Sequence, residues 1–263
     1  MASELTITSL QNPRIKEVKR LRESRQRRKS GLFLIDGGKE IAAATASGLQ
    51  VQSVFCTTDQ LENTAILGSL PSGSVNLVAP GVLKRICYGQ HDQLPVAVAS
   101  TPTRSLQELA ITGGSRVLVL DRTEKPGNLG ACLRTAAACS IDALVLTNPI
   151  CEPYNPNTIR SSRGAIFQVP VVVSNVDSLI SLSTEQQLPI LAARVDGERS
   201  LWECDLSSGF MAVFGNEADG LLADWRHNAV TPFSIPMHVQ TDSLNLSISC
   251  AVTLYESCRQ RSC

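Results

Sequence analysis

Arg116-Val-Leu-Val-Leu-Asp-Arg-Thr-Glu-Lys-Pro-Gly-Asn-Leu-Gly-Ala-Cys-Leu-Arg-Thr-Ala-Ala-Ala138 passes from an unbroken apolar run into a polar turn and then into an alanine-rich stretch. Arg116 to Leu120 reads as a strand buried on both faces, Pro126 to Gly130 as a glycine-rich loop, and Ala131 to Ala138 as a helix. Similar apolar runs recur at Ala143 to Leu146, Phe167 to Val173, Ile190 to Ala193 and Phe210 to Phe214, with polar or helical segments between them. Continuous apolar strands alternating with helices predict an α/β domain whose mostly parallel sheet is covered on both faces.

Upstream, Leu32 to Ile35, Val51 to Cys56, Val75 to Val78 and Leu94 to Ala99 read as strands, with helices at Lys39 to Ser47 and Val82 to Cys87. They form a smaller α/β unit, and the polar, proline-containing Ser100 to Arg104 reads as a linker. The predicted domains are therefore 1–104 and 105–263. The smaller unit begins with a basic segment. Residues 1–30 hold nine Lys and Arg against three Glu, a net +6 inside a neutral chain of 263 residues. Ile15, Val18 and Leu21 give this segment one thin apolar stripe, so a helix there would bury that stripe and present cations suited to a phosphate backbone. A plain solvated surface helix is the alternative.

Composition narrows the function classes. The chain is 43% hydrophobic and 18% charged, which is globular. No apolar run reaches the roughly 18 residues of a membrane helix, and the opening Met-Ala-Ser-Glu-Leu-Thr lacks a signal-peptide pattern, so a soluble, cytoplasmic protein is expected. The nine cysteines are scattered, without a Cys-x-x-Cys pair, and read as reduced core residues; three histidines at no zinc spacing give no metal site. Phosphate-loop, dinucleotide-fold, zinc-protease and serine-hydrolase signatures are absent.

Three segments carry candidate chemistry. In the first, the glycines around Asn128 permit close backbone approach, and Arg134, placed one turn into the expected helix, would lean toward that loop. The second, Phe214-Gly-Asn-Glu-Ala-Asp-Gly-Leu221, follows a strand directly, where open α/β sheets bind ligands; Gly215 allows close approach and Glu217 can bond a donor. The third is Ser234-Ile-Pro-Met237 followed by Asp242-Ser-Leu-Asn-Leu-Ser247, which opens a helix running to about Cys258. Ser243 or Asp242 supplies the N-cap there, and Leu244, Ile248, Ala251, Val252 and Tyr255 an apolar face. Capping by Ser243 leaves Asn245 without a structural reason.

In order and wording these segments resemble the three motifs of the SpoU/TrmH branch of the SPOUT RNA methyltransferases. Motif one is similar in Pro126 to Ala136, motif two in Gly215 to Gly220, and motif three in Ile235-Pro-Met and Ser243-Leu-Asn-Leu-Ser. The resemblance spans about 105–263. Asn157 to Phe167 also looks like the family's segment between motifs one and two, and Ile35 to Ile41 resembles, more weakly, its RNA substrate-binding module.

The resemblance implies a C-terminal domain tied in a trefoil knot, preceded by an RNA substrate-binding domain, and a homodimer. It also implies S-adenosylmethionine held at Gly215, Ile235 and Leu244, and methyl transfer to the ribose 2′-hydroxyl of an rRNA or tRNA nucleotide. Catalytic roles carry over to Arg134, Asn128, Glu217, Ser243 and Asn245, with no metal and no membrane partner. Two departures stand out. Lys125 occupies a position that is acidic or amide in many relatives, and His238-Val239-Gln240 replaces a stretch where glycine is common, which bears on cofactor affinity. A catalytically silent RNA-binding or ribosome-assembly protein on the same fold is the competing reading, and base methylation a third.

Overall fold

The computed structural model describes residues 6–63, 73–90, 94–238 and 243–261. The chain forms two compact units, one of Met1–Pro102 with Tyr154–Phe167 and the other of Thr103–Pro153 with Gln168–Cys263. The division therefore falls two residues before the expected one, and 154–167, expected within the second domain, packs with the first unit.

The first unit runs α1 (Pro13–Arg20), α2 (Ser24–Ser30), β1 (Leu32–Asp36), α3 (Gly38–Ala46), β2 (Val51–Cys56), α4 (Thr58–Asn63), β3 (Val75–Leu77), α5 (Pro80–Ile86) and β4 (Val96–Ser100), with α7 (Pro156–Ser162) added from the later segment. Its sheet has the order β1-β4-β2-β3, with β4 antiparallel to both of its neighbours and β2 parallel to β3. The basic segment folds as two short helices, and its stripe of Ile15, Val18 and Leu21 is buried in a cluster with Leu34, Phe55, Leu83 and Ile86. Several of the nine cations serve the fold. Arg22 forms a two-pronged pair with Asp36 at 2.6 Å, Arg14 donates to Asn76, and the buried Arg27 donates to the Leu21 and Arg22 carbonyls. On the other face of the sheet the side chain of Phe33 meets Tyr154, with ring centroids 4.7 Å apart, and Phe167 at 6.5 Å.

The second unit runs β5 (Arg116–Asp121), α6 (Pro126–Ala138), β6 (Ala143–Thr147), β7 (Val171–Ser174), α8 (Val176–Gln186), β8 (Ile190–Ala193), β9 (Arg199–Ser200), β10 (Phe210–Phe214), β11 (Val230–Ser234) and α9 (Leu246–Arg261). Its seven strands are ordered β7-β6-β5-β10-β8-β11-β9, and every neighbouring pair is parallel. The α/β class with a parallel sheet is as expected. The chain steps outward from β5 through β6 to β7 and then returns to build the other half of the sheet. The carboxyl ends of β5, β10, β8 and β11 thus open on one side at the point where the order reverses, the usual place for a ligand in such sheets.

Two local expectations are corrected. Pro126-Gly-Asn-Leu-Gly130 is the first turn of α6 and not a loop, because proline at the first helical position has its φ already set and loses no hydrogen bond there. In α9 the residues facing the core are Leu246, Cys250, Thr253, Leu254, Glu256 and Ser257, whereas Ile248 and Tyr255 of the expected apolar face are 50% and 58% exposed. The inward face is held by polar bonds. Ser257 Oγ donates to the Leu206 carbonyl at 2.9 Å, and Gln260 donates to the Cys204 carbonyl while accepting from the Leu206 amide at 2.7 Å. No described helix is long and apolar enough to cross a membrane.

Glu256 accepts from Arg259 and Gln260, and chiefly the Arg259 bond lowers its pKa from 4.5 to about 2. A depressed folded-state value contributes stability above the unfolded value, and that contribution is lost as pH falls through the folded value. Urea unfolding across acidic pH should therefore show a stability decline between 4.5 and about 2 that is shallower in Glu256→Gln.

Candidate functional site

At the open edge of the second sheet, β10 delivers the chain into Gly215. The loop folds back on itself immediately: the Asn216 amide donates to the Gly220 carbonyl at 3.0 Å, and the Gly220 amide to the Asn216 carbonyl at 2.9 Å. Gly215 is required there, since a methyl group at its Cα would collide with the Gly220 carbonyl and the Leu221 nitrogen. The Asn216 side chain accepts from the Ala218 amide and donates to the Arg122 carbonyl, stitching the loop to the end of β5. Arg122, itself in a left-handed conformation, pairs with Asp219 at 2.8 Å.

The loop presents Glu217 as an acceptor for two other segments, the starts of α6 and α9. Its Oε1 accepts from Asn128 Nδ2 at 2.7 Å, from Asn245 Nδ2 at 2.5 Å and from the Leu246 amide at 3.4 Å, and its Oε2 pairs with Lys125. Lys125 is the leading cause that lowers the Glu217 pKa, and Glu217 in turn raises that of Lys125. The carboxylate is thus the form that four donors select.

Asn245 has two tasks. Its Oδ1 accepts from the Ser247 amide at 3.0 Å and hydroxyl at 2.7 Å, and its carbonyl takes the first helical bonds of α9. It is therefore the cap that the sequence assigned to Ser243 or Asp242, because the helix begins two or three residues later than expected. Asp242 lies outside the described residues, as do Val239 and Gln240.

A cavity of about 550 Å³ opens beside this array, within the 300–1,000 Å³ typical of small-molecule sites. Gly215, Ile235 and Leu244 all line it, and so do Glu217 and Ser243. Its far wall, which sequence reasoning missed, carries Arg194 and Asp196 just past β8, with Arg226 and the buried Trp225. Arg194 grips Asp196 with bonds of 2.8 and 2.5 Å and holds its carboxyl below the usual range. The position of Arg194 directly after an apolar strand was the available signal. Among the described residues no cluster of His, Cys, Asp and Glu could hold a metal ion.

Arg134 stands apart. With α6 beginning at Pro126, Arg134 lies two turns into the helix, about 9 Å along the axis and roughly 120° around it from Asn128. It is exposed and makes no hydrogen bond or ion pair among the described residues. The structure brings together Asn128, Glu217 and Asn245, with Ser243 on the cavity wall, and leaves Arg134 outside their network.

The model of the SpoU rRNA Methylase family matches residues 115–255, and that of the MRM3-like substrate binding domain matches 12–97. The chain is 31% identical over 262 residues to an uncharacterized tRNA/rRNA methyltransferase of Synechocystis sp., covering 97% of this chain and 94% of that protein. It is 26% identical over 250 residues to the 23S rRNA (guanosine(2553)-2'-O)-methyltransferase RlmP of Bacillus subtilis, covering 95% and 97%. Among solved structures, an RNA 2'-O ribose methyltransferase aligns with a TM-score of 0.82 at 34% identity over 98% of this chain and all of that one. The AdoMet-bound rRNA methyltransferase from Sinorhizobium meliloti aligns at 0.88 and 26% identity, covering 97% of each.

Overpacking against backbone costs about 1–3 kcal/mol, and each 1.4 kcal/mol is a factor of ten in an equilibrium. Gly215→Ala should therefore speed amide hydrogen exchange at Asn216 and Gly220 by about tenfold or more, read by NMR, with exchange in β5 and β6 unchanged.

Proposed function

We infer the activity from a premise that the matched residues establish: the chain belongs to the SpoU rRNA methylase family. It is a methyltransferase that uses S-adenosylmethionine to methylate the ribose 2′-hydroxyl of an rRNA or tRNA nucleotide. The observation that carries this reading is the cavity at the sheet's reversal point, with an array of one carboxylate and two fixed amides on its rim. A protein that only bound RNA would have no use for a closed glycine loop beside a cavity of small-molecule size.

The residues present fit the cofactor. Gly215, Ile235 and Leu244 line a space of suitable volume, and the tight Gly215 turn leaves backbone groups at its edge. Bound S-adenosylmethionine supplies a methyl group on a positively charged sulfur, already a strong electrophile. What remains for the protein is to orient the ribose hydroxyl and stabilise the negative charge that develops on its oxygen. Asn128 and Asn245, fixed through Glu217, supply oriented amides, and Ser243 a hydroxyl on the cavity wall. Arg134 serves as the electrostatic stabiliser of the ribose oxygen or its neighbouring phosphate. It is exposed and has no partner among the described residues, which leaves its guanidinium fork for substrate.

The same reading includes a trefoil knot in the second unit, RNA held by the first unit, and action in the cytoplasm. It also includes a homodimer. The outward Ile248 and Tyr255 of α9 support that association, since they form an apolar strip one to two turns long on a surface helix.

Mapping of 2′-O-methyl positions in total RNA with and without the gene tests the activity directly; an unchanged map rejects it. Arg134→Ala should slow single-turnover methyl transfer by on the order of a hundredfold, the scale for one lost oxyanion donor. Cofactor affinity measured by calorimetry should survive, and Arg134→Lys should recover little. For assembly, light scattering at micromolar concentration should give twice the chain mass, and Ile248→Glu with Tyr255→Glu should return it to one.

A further inference from the structure

Lys125 is the contact to Glu217 that the pattern of the motifs did not supply. Glu217 Oε1 receives the amide groups of both Asn128 and Asn245, and a carboxylate oxygen can take several donors at once. Each bond fixes which way an amide is turned: Asn245 directs its NH2 to Glu217 and keeps its Oδ1 for Ser247. Protonation of Glu217 would replace an acceptor by a donor and set it against those NH2 groups, so the orientation of both amides depends on the charge of this one carboxyl.

Among the described residues few charged groups face Glu217. Lys125 pairs with it directly from the residue before α6, Glu124 lies beside Lys125, and Arg122 is committed to Asp219 of the same loop. Among the described residues Lys125 is thus the cation that compensates this carboxylate. Its side chain is 66% exposed and that of Glu217 25%. An ion pair so open to water adds little to stability, so its removal should leave the fold standing.

We propose that Lys125 is a positioning residue for methyl transfer, its ammonium holding Glu217 Oε2 so that Oε1 orients the amides of Asn128 and Asn245. The proposal rests on the activity inferred above. It also explains why a basic residue is tolerated at this position: it acts on Glu217 and through it on the two amides.

The test compares the unaltered full-length protein with Lys125→Gln and Lys125→Arg. Carbon-13 NMR of the Glu217 carboxyl, assigned with Glu217→Gln, follows its titration and needs no activity. The Glu217 midpoint should move up in Lys125→Gln and return toward its original place in Lys125→Arg. Single-turnover methyl transfer at saturating RNA and cofactor should fall in Lys125→Gln, more near pH 5, where a raised Glu217 midpoint leaves more of the carboxyl protonated, than near pH 8. Lys125→Arg should recover most of that loss. An unmoved Glu217 midpoint overturns the proposal, as does a rate loss that is equal at both pH values or that disappears on raising RNA concentration, which would make Lys125 a phosphate contact. Absence of methyl transfer by the unaltered protein would overturn the functional reading instead, and the Glu217 titration would then decide by itself whether Lys125 sets that charge.

Discussion

Asp121 ends the central strand β5 with its carboxyl group fully buried, and donors from separate parts of the chain converge on it. Thr147 Oγ1 at the end of β6 donates at 2.8 Å, Asn148 Nδ2 at 3.2 Å and the Leu222 amide at 3.3 Å. A buried carboxyl is stable only with such partners, and each donor left unmatched would cost about 1–3 kcal/mol. Asn148 even accepts a left-handed backbone to reach it. The consequence extends to the site, because Leu222 closes the loop that Gly215 opens. That loop is fixed at one end by β10 and at the other by Asp121, and Glu217 sits between the two anchors.

With the loop anchored, charge sets its register against the start of α6. The segment 122–125 contributes two cations and the loop two anions, paired as Arg122 with Asp219 and Lys125 with Glu217. Either pair alone, half in water, would be worth little. They act alongside the Asn216 bond to the Arg122 carbonyl, so side-chain and backbone restraints point the same way. The polar array is therefore pre-ordered by the scaffold and does not need a ligand to form, which is what stabilisation of a transient charge requires.

Strands buried on both faces were the most legible elements. The apolar runs Ile190–Ala193 and Phe210–Phe214 end where polar residues or glycines interrupt them, and the structure places strands on the same residues. β11 escaped notice because Thr231 and Pro232 break its apolar run, although Phe233 is fully buried. Errors at helix starts have one cause: Pro126 and Asn245 are ambiguous between loop and helix until the neighbouring chain is placed. The membership of Asn128, Glu217 and Asn245 in one site followed from resemblance to known motifs. The hydrogen bonds joining them did not, since they link residues 89 and 28 positions apart. Nor could periodicity show that Tyr154–Phe167 packs with the first unit, where Phe33 and its rings receive it.

The inversion of α9 has a physical reason. Its inward face sets Cys250 against Cys132 of α6 and bonds Ser257 to the Leu206 carbonyl, with Leu246 and Leu254 spaced among small side chains. Such a face permits close helix approach where a row of large side chains would hold the helices apart. The larger apolar residues Ile248 and Tyr255 are displaced outward, where only an associating surface can bury them. The same helix begins at Asn245, whose side chain both caps it and holds Glu217. One rigid element of 16 residues thus joins the exposed apolar strip to the polar array. A contact that covered the outer face of α9 would therefore also steady the amide at its first turn.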